Sequence, residues 1–284
     1  MRSNSCGGKV KGRKDITVEE AALAAQAACV LEASAPKPGS VNRLHDFADT
    51  TFEDFMISAL AIGEAMRLAW THTVGEVVLK AVEDTRRLVS TNTNLGMILL
   101  LTPLVKAAAS DDLRAGLRKV LRELSETDAD LVYKAIRLAA PGGLGKVTRG
   151  DIDDGARGTL REMMYLAREH DAVAAAYVND YQVVFEVGCP ALINYYRRKG
   201  NRTEAVVYTY LSLLEQQPDS LVMRKCGRET AEEISRQAGL VLKGKMSLGE
   251  FDDFLRRPDN ALNPGTTSDL VAASIFVATL LDGL

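Results

Sequence analysis

Two cations and a rigid backbone come together in the segment 36–43, which reads Pro-Lys-Pro-Gly-Ser-Val-Asn-Arg. Proline lacks an N–H and fixes φ, so the two prolines must end the alanine-rich helical run 18–33 that precedes them. Gly39 offers a backbone position that takes a positive φ or lets a ligand approach closely. With Lys37 and Arg43 on either side, this corner is suited to binding phosphate or another anion. The alternative is an ordinary connection between helices with solvated cations.

A second candidate for anion binding is the polar segment just before the apolar run 97–101. Four short polar side chains and one glycine stand there: Thr91, Asn92, Thr93, Asn94 and Gly96. The start of a helix presents free N–H groups and the positive end of its dipole, which favour an anion. Simple N-capping is the alternative, but it needs only one such residue. The segment therefore predicts a second set of phosphate contacts.

One carboxylate, Glu186, stands in the otherwise apolar stretch 185–190. If this side chain is buried, its pKa is raised or it needs a cationic partner. If it is exposed, it lies at a helix end just before Pro190. Burial would make Glu186 a candidate catalytic carboxylate.

Three further acids, Asp49, Asp128 and Asp219, stand near predicted helix starts. Their oxygens suit Mg²⁺, which proteins hold with one or two carboxylates together with substrate phosphates. The cations Arg224 and Lys225 follow Asp219 and are further candidates for phosphate contacts. The alternative for each acid is an ordinary place at a helix N-terminus, which the helix dipole favours.

The elements that must position these residues are helices. Apolar residues recur at helical spacing along the chain, and neither strand alternation nor a βαβ rhythm is present. Pairs such as Thr17 with Glu20, Thr50 with Glu53 and Thr266 with Asp269 predict helix starts. Pro103 predicts a kink or break in the apolar helix around it. The pattern predicts an all-α single domain of roughly ten or more helices.

That domain is expected to span residues 15–284, after a basic, disordered tail at 1–14. The tail has no apolar core of a secretory signal. Residues 141–158 are rich in glycine and predict a loop or an excursion between helices, and the sequence does not decide whether this segment closes over a ligand. Their Gly-Gly-Leu-Gly-Lys run fails the phosphate-loop spacing, because Val147 follows the lysine.

Bulk properties exclude several classes of protein. The 284 residues are 46% hydrophobic and 26% charged with a net charge of −3, so bulk electrostatics do not favour nucleic-acid binding. Four scattered cysteines without a CxxC pair disfavour a thiolate zinc site and fit a reducing cytoplasm. The late apolar run 270–281 is too short to span a bilayer. We therefore expect a cytoplasmic protein that binds neither membrane nor nucleic acid.

Taken in order, five segments resemble the triphosphoribosyl-dephospho-coenzyme A synthase family. The matching segments are Pro36-Lys37-Pro38-Gly39 with Val41 and Arg43; Asn92-Thr93 with Gly96; Glu186 with Gly188 and Pro190; Asp219 with Arg224; and Asn263-Pro264-Gly265 with Ser268, Asp269 and Leu270. The resemblance runs from about Ala21 to the C-terminus.

Within this family the chain resembles a divergent, archaeal-type branch. In the stretch 44–50, Asp49 matches the family's aspartate, but His45 stands two residues away from the family's histidine position. In the stretch 218–221, Asp219 is the one residue kept of the family's Gly-Asp-Thr-Asn segment. These departures fall in segments that bear on the acceptor substrate.

The resemblance implies an enzyme that joins C1′ of the ATP ribose to the 2′-hydroxyl of 3′-dephospho-CoA and expels adenine. Such a pentosyltransferase needs a carboxylate near the positive charge at C1′, and Mg²⁺ and cations on the triphosphate. The roles implied here are phosphate contacts for Lys37, Gly39, Arg43, Thr91, Asn92, Thr93, Gly96, Arg224 and Lys225; metal binding for Asp49, Asp128 and Asp219; and catalysis for Glu186 and Asp49.

Other functions fit the same residues. One is phosphoribosyl or triphosphoribosyl transfer to a different cofactor precursor, such as a pterin. Another is hydrolysis of an N-glycosidic bond. A third is a helical protein that binds a nucleotide without catalysis. The number of subunits is not predicted.

Overall fold

A computed structural model describes residues 16–140, 155–257 and 259–282. The predicted tail 1–14 and most of the predicted loop 141–158 lie outside these residues. The helices are α1 (Val18–Ser34), α2 (Phe52–Ala61), α3 (Gly63–Arg67), α4 (Val74–Leu88), α5 (Leu95–Ala107), α6 (Leu113–Arg122), α7 (Glu126–Ala139), α8 (Leu160–Ala167), α9 (Ala172–Val178), α10 (Cys189–Lys199), α11 (Arg202–Gln216), α12 (Ser220–Cys226), α13 (Arg228–Leu242), α14 (Leu248–Leu255) and α15 (Gly265–Asp282).

The all-α prediction is confirmed. Across the described ranges, extended pairing is confined to an isolated bridge between Asn42 and His45. A π-helical turn, Val184–Gly188, leads directly into α10. None of the helices in these ranges combines the length and the apolar character that a membrane span requires.

Capping boxes start several of the helices. At α1 the predicted pair is confirmed, since Thr17 accepts from the Glu20 N–H and Glu20 accepts from the Thr17 N–H. At α2 the prediction is wrong by one residue. Thr51 and Asp54 form the box there, because Thr50 is buried and its carbonyl accepts from the Phe47 N–H.

The helices α5 and α15 form the centre of the core. Both are apolar on all sides, as expected for helices surrounded by others, and α15 packs against α1, α5, α10 and α11. The predicted interruption at Pro103 is accommodated inside α5.

Two buried tyrosines compensate for this proline. Because Pro103 has no N–H, the carbonyl of Leu99 loses its intrahelical donor. Tyr177 Oη donates to that carbonyl at 2.6 Å, and Tyr181 Oη donates to the next one, of Leu100, at 3.2 Å. α5 therefore continues through the proline with its carbonyls satisfied.

Candidate active site

The corner 36–43 is held by side chains from distant parts of the chain. Gly39 has a φ of +73°, as the sequence predicts, and its N–H donates to Asp252 Oδ1 at 2.8 Å. Tyr210 Oη donates to the carbonyl of Pro38 at 2.8 Å. Ser40 Oγ donates to Asn263 Oδ1 at 3.2 Å, which ties the corner to the segment that opens α15. The turn is thus rigid and fixed against three other elements.

The two cations of the corner have different surroundings. Lys37 is 1% exposed, and its Nζ lies 2.9 Å from Glu32 Oε1 and 2.6 Å from the Glu32 carbonyl. Its charge is therefore paired with a buried carboxylate at the end of α1. Arg43 is exposed in the loop that follows.

The polar segment before α5 is used partly for structure. Asn92 Oδ1 accepts from the Leu95 N–H at 3.2 Å and so caps the helix start. Thr93 Oγ1 lies 2.6 Å from Ser58 Oγ, which joins the segment to α2. Thr91 Oγ1 is buried and has no hydrogen-bond partner among the described residues. The Thr91 hydroxyl is thus used neither for capping α5 nor for a hydrogen bond to another described residue.

Asp219 joins the starts of two helices. Its Oδ1 accepts from the N–H groups of Leu221 and Val222 at 2.8 and 3.0 Å, which caps α12. Its Oδ2 accepts from the N–H and hydroxyl of Thr267 at 2.7 and 2.8 Å, in the first turn of α15. Burial raises the pKa of Asp219, and these four hydrogen bonds oppose the rise. Its oxygens are therefore occupied by protein donors.

The two cations after Asp219 also differ. Arg224 Nη1 pairs with Asp171 Oδ2 at 2.7 Å, while Asp171 Oδ1 caps α9 by accepting from the Val173 N–H at 2.8 Å. Lys225 is exposed. Of the two, Lys225 is the one whose charge faces solvent.

Asp269 lies in the first turns of α15, and its carboxylate is against Gly96 of α5. A Cβ at position 96 would overlap Asp269 Oδ2. Asp269 has no hydrogen bond or ion pair among the described residues, and part of its surface is open to solvent. Burial, followed by the charges of Glu32, Asp219 and Asp171, raises the pKa of Asp269 well above its ordinary value.

The predicted pairing of Asp269 with Thr266 is wrong, because Thr266 instead accepts from Ser220 Oγ.

The segment that opens α15 therefore brings together four of the five matching segments. Asn263 contacts Ser40 of the corner, Thr267 contacts Asp219, and Asp269 contacts Gly96. We call this meeting point the α15 junction.

Glu186 lies in the π-helical turn Val184–Gly188, and its partners are outside the α15 junction. It is exposed, pairs with Arg114 at 2.7 Å and accepts from Gln182 Nε2 at 2.9 Å. These hydrogen bonds, from Arg114 first, hold the pKa of Glu186 below its ordinary value. Arg114 opens α6, whose Gly116 touches the carbonyl of Ala107 at the end of α5. The helical rise from Gly96 to Ala107 is about 16 Å.

The three predicted metal ligands lie apart. Asp128 accepts from the Ser125 N–H and hydroxyl at 2.8 and 2.7 Å and from the Gly75 N–H at 2.7 Å, which joins α7 to α4. Asp49 is exposed, with Thr50 Oγ1 at 3.3 Å. In the part of the chain that the structure describes, no three His, Cys, Asp or Glu residues are grouped to hold a metal ion.

Neither Glu32 nor Asp269 is among the residues for which the sequence predicts a catalytic, phosphate-binding or metal-binding role. A signal was present, however. Glu32 is the lone charged residue between Ala21 and Ser34, and Asp269 the lone one between Gly265 and Leu281. A single charge in a helix that is otherwise apolar needs a partner or a function.

A surface cavity of about 600 Å³ opens at the C-terminal end of α12. Its lining residues are Cys226, Thr230, Phe254, Arg257, Asp259, Ala261 and Leu262. This volume is within the range of small-molecule sites. The cavity is one α12 length, about 10 Å, from Asp219.

Comparison with known proteins agrees with the resemblance. The profile of the CitG family, described as ATP:dephospho-CoA triphosphoribosyl transferase, matches residues 18–284. The chain is also similar to the crystal structure of an Archaeoglobus fulgidus protein described as triphosphoribosyl-dephospho-CoA synthase. The two share 31% identity over 79% of this chain and 98% of that one, with a TM-score of 0.64. No curated protein matches.

The Lys37–Glu32 pair makes a prediction about stability. Lys37→Met is expected to lower the free energy of unfolding by about 3–5 kcal/mol, because Glu32 is left buried without a compensating charge. The double variant with Glu32→Gln should recover part of this loss. Urea unfolding of both single variants and the double variant measures the coupling. If Lys37→Met instead has unchanged stability and binds ATP more weakly, Lys37 contacts a phosphate of ATP.

Asp128 makes a second prediction. Asp128→Ala is expected to destabilise the protein by about 2–4 kcal/mol, since it removes a capping box and leaves the buried Gly75 N–H unpaired. The exposed neighbour Asp130 is the matched control, and Asp130→Ala should stay within about 0.5 kcal/mol of wild type. Thermal unfolding measures both. Normal stability of Asp128→Ala with weakened Mg²⁺ dependence would favour a metal ligand.

Proposed function

This chain belongs to the CitG family of ATP:dephospho-CoA triphosphoribosyl transferases, and we propose that it transfers the triphosphoribosyl group of ATP to the 2′-hydroxyl of 3′-dephospho-CoA. Adenine is the leaving group of this pentosyl transfer. The observation that carries the proposal is the α15 junction, where segments far apart in sequence come together around Asp269.

The junction supplies what a triphosphate requires. The first turn of α5 has N–H groups without intrahelical partners, and these favour an anion. The buried hydroxyl of Thr91 is free to donate. Arg43 and Lys225 are exposed and make no ion pair among the described residues, so they add positive charge. Lys37 and Arg224, by contrast, neutralise the carboxylates beside them.

We infer that Mg²⁺ is bound as part of the MgATP substrate. Asp219 and Asp128 use their oxygens for protein donors, whereas Asp49 makes a single long hydrogen bond and keeps oxygens for a metal. Such a metal is typically bound by one or two carboxylates and by the phosphates themselves. When bound, it would neutralise charge on the triphosphate.

The acceptor is the less constrained part of the proposal. The stretch 44–50 departs from the family pattern, so another cofactor precursor with a hydroxyl or amine is the second candidate. The cavity at Cys226 and Arg257 has the volume to hold the part of the acceptor that extends away from the reacting group.

Release of adenine tests the function directly. Incubation with MgATP and dephospho-CoA is expected to release adenine in step with a triphosphoribosylated product, both measured by chromatography and mass spectrometry. Adenine with a pterin acceptor alone would support the altered substrate, and adenine without any acceptor would support hydrolysis. Bound ATP without adenine under any condition would contradict an enzyme.

The position of the reaction is tested by Glu186→Gln. If the reaction takes place at the α15 junction, kcat should change less than about threefold, because the hydrogen-bond partners of Glu186, Arg114 and Gln182, are not part of the junction. A loss of a hundredfold or more, with ATP affinity retained, would place the reaction at Glu186, as the sequence analysis predicts. Thermal unfolding of the variant controls for its folding.

A further inference from the structure

Four carboxyl groups surround the α15 junction, and three of them have partners. Glu32 faces Lys37, Asp171 faces Arg224, and Asp219 accepts four hydrogen bonds. The fourth, Asp269, makes no ion pair and accepts no hydrogen bond within the described ranges. An unpaired carboxyl among three others is the group that most easily keeps its proton, since a further negative charge there is repelled.

The position of Asp269 makes that proton available to a ligand. Its carboxyl touches Gly96 in the first turn of α5, where the proposed triphosphate contacts lie. Part of its surface is open to solvent, whereas Asp219 is 2% exposed. Asp269 therefore lies beside the start of α5 with part of its surface exposed to solvent.

The charged groups that face Asp269 come from every side of the junction. They are Glu32 from α1, with its partner Lys37 from the corner; Asp171 from the cap of α9; and Asp219 and Arg224 from α12. Burial and the three acids raise its pKa, and Arg224 opposes them. Asp269 therefore keeps its proton at pH values at which an ordinary aspartic acid has lost it.

We propose that Asp269 is the catalytic acid of the transfer and gives its proton to the adenine ring as the bond between C1′ and N9 breaks. This inference rests on the function proposed above. The catalytic acid is then a residue of α15, and Asp269 does not bind the metal ion.

The step balances in atoms and charge. The electron pair of the C1′–N9 bond goes to adenine, and the Asp269 proton goes to a ring nitrogen, so that neutral adenine leaves. The acceptor hydroxyl oxygen forms the new bond to C1′, and its proton passes to water. Asp269 regains a proton from water, and no oxidation or reduction takes place.

The pH dependence follows from the acid role. A general acid must be protonated, so kcat/KM should be highest below the raised pKa of Asp269 and fall as the pH rises through it. Asp269→Asn should lower kcat/KM by about 10²–10⁴-fold and remove this fall, while ATP affinity changes only a few fold. Asp269→Glu should keep a fall at a shifted pH.

An ATP analogue methylated at N7 separates catalysis from structure. Its base already carries a positive charge and leaves as neutral 7-methyladenine without any proton from the enzyme. With this substrate, Asp269→Asn should come within about tenfold of wild type. A merely structural role for Asp269 would leave the variant equally impaired with both substrates.

Two further variants keep the test decisive if Asp269→Asn does not fold. Gly96→Ala keeps the Asp269 carboxyl group but displaces it, because the new Cβ would overlap Asp269 Oδ2. This variant should lower turnover with ATP more than turnover with the methylated analogue. Glu233→Gln, at an exposed pair with Arg236, is the control and should match wild type.

The outcomes separate the two claims. If wild type releases no adenine with any acceptor, the proposed function fails, and the acid role fails with it. If wild type is active and a folded Asp269→Asn keeps more than about a third of its activity, or keeps the same fall with pH, only the acid role is overturned.

Discussion

One buried carboxylate fixes the part of the molecule on which the site depends. Asp219 caps α12 and also accepts from the Thr267 N–H and hydroxyl at the start of α15. Helix starts have N–H groups without intrahelical partners, so a single buried acceptor shared by two helices sets their relative position. With α15 fixed there, Asn263 reaches the corner at Ser40, and Asp269 reaches Gly96.

The chemistry of the junction follows from how its charges are paired. Lys37 and Arg224, which the sequence offers as phosphate contacts, are used by Glu32 and Asp171. This pairing leaves Asp269 as the carboxyl group at the junction with neither an ion pair nor a hydrogen bond among the described residues. The exposed cations Arg43 and Lys225 stay available for substrate. Family membership alone does not assign these roles, which depend on the contacts.

The sequence predicts the helices better than the contacts between them. Apolar periodicity and Pro103 predict α5, but not that Tyr177 would supply the donor that the proline lacks, because that contact joins residues 78 positions apart. Likewise, the charge on Lys37 is visible in the sequence, whereas its burial depends on where α1 ends. Asp269 and Glu32 were recognisable as lone charges in apolar helices, but their proximity is a property of the fold.

The central claim is that the ribose of ATP reacts at the α15 junction. The most direct test is a crystal structure with MgATP and a dephospho-CoA analogue that lacks the reacting hydroxyl. We expect an adenine ring nitrogen within hydrogen-bond reach of the Asp269 carboxyl, roughly 2.6–3.2 Å, and phosphates at the start of α5. A nucleotide bound beside Glu186 and Arg114, with the junction empty, would contradict the account.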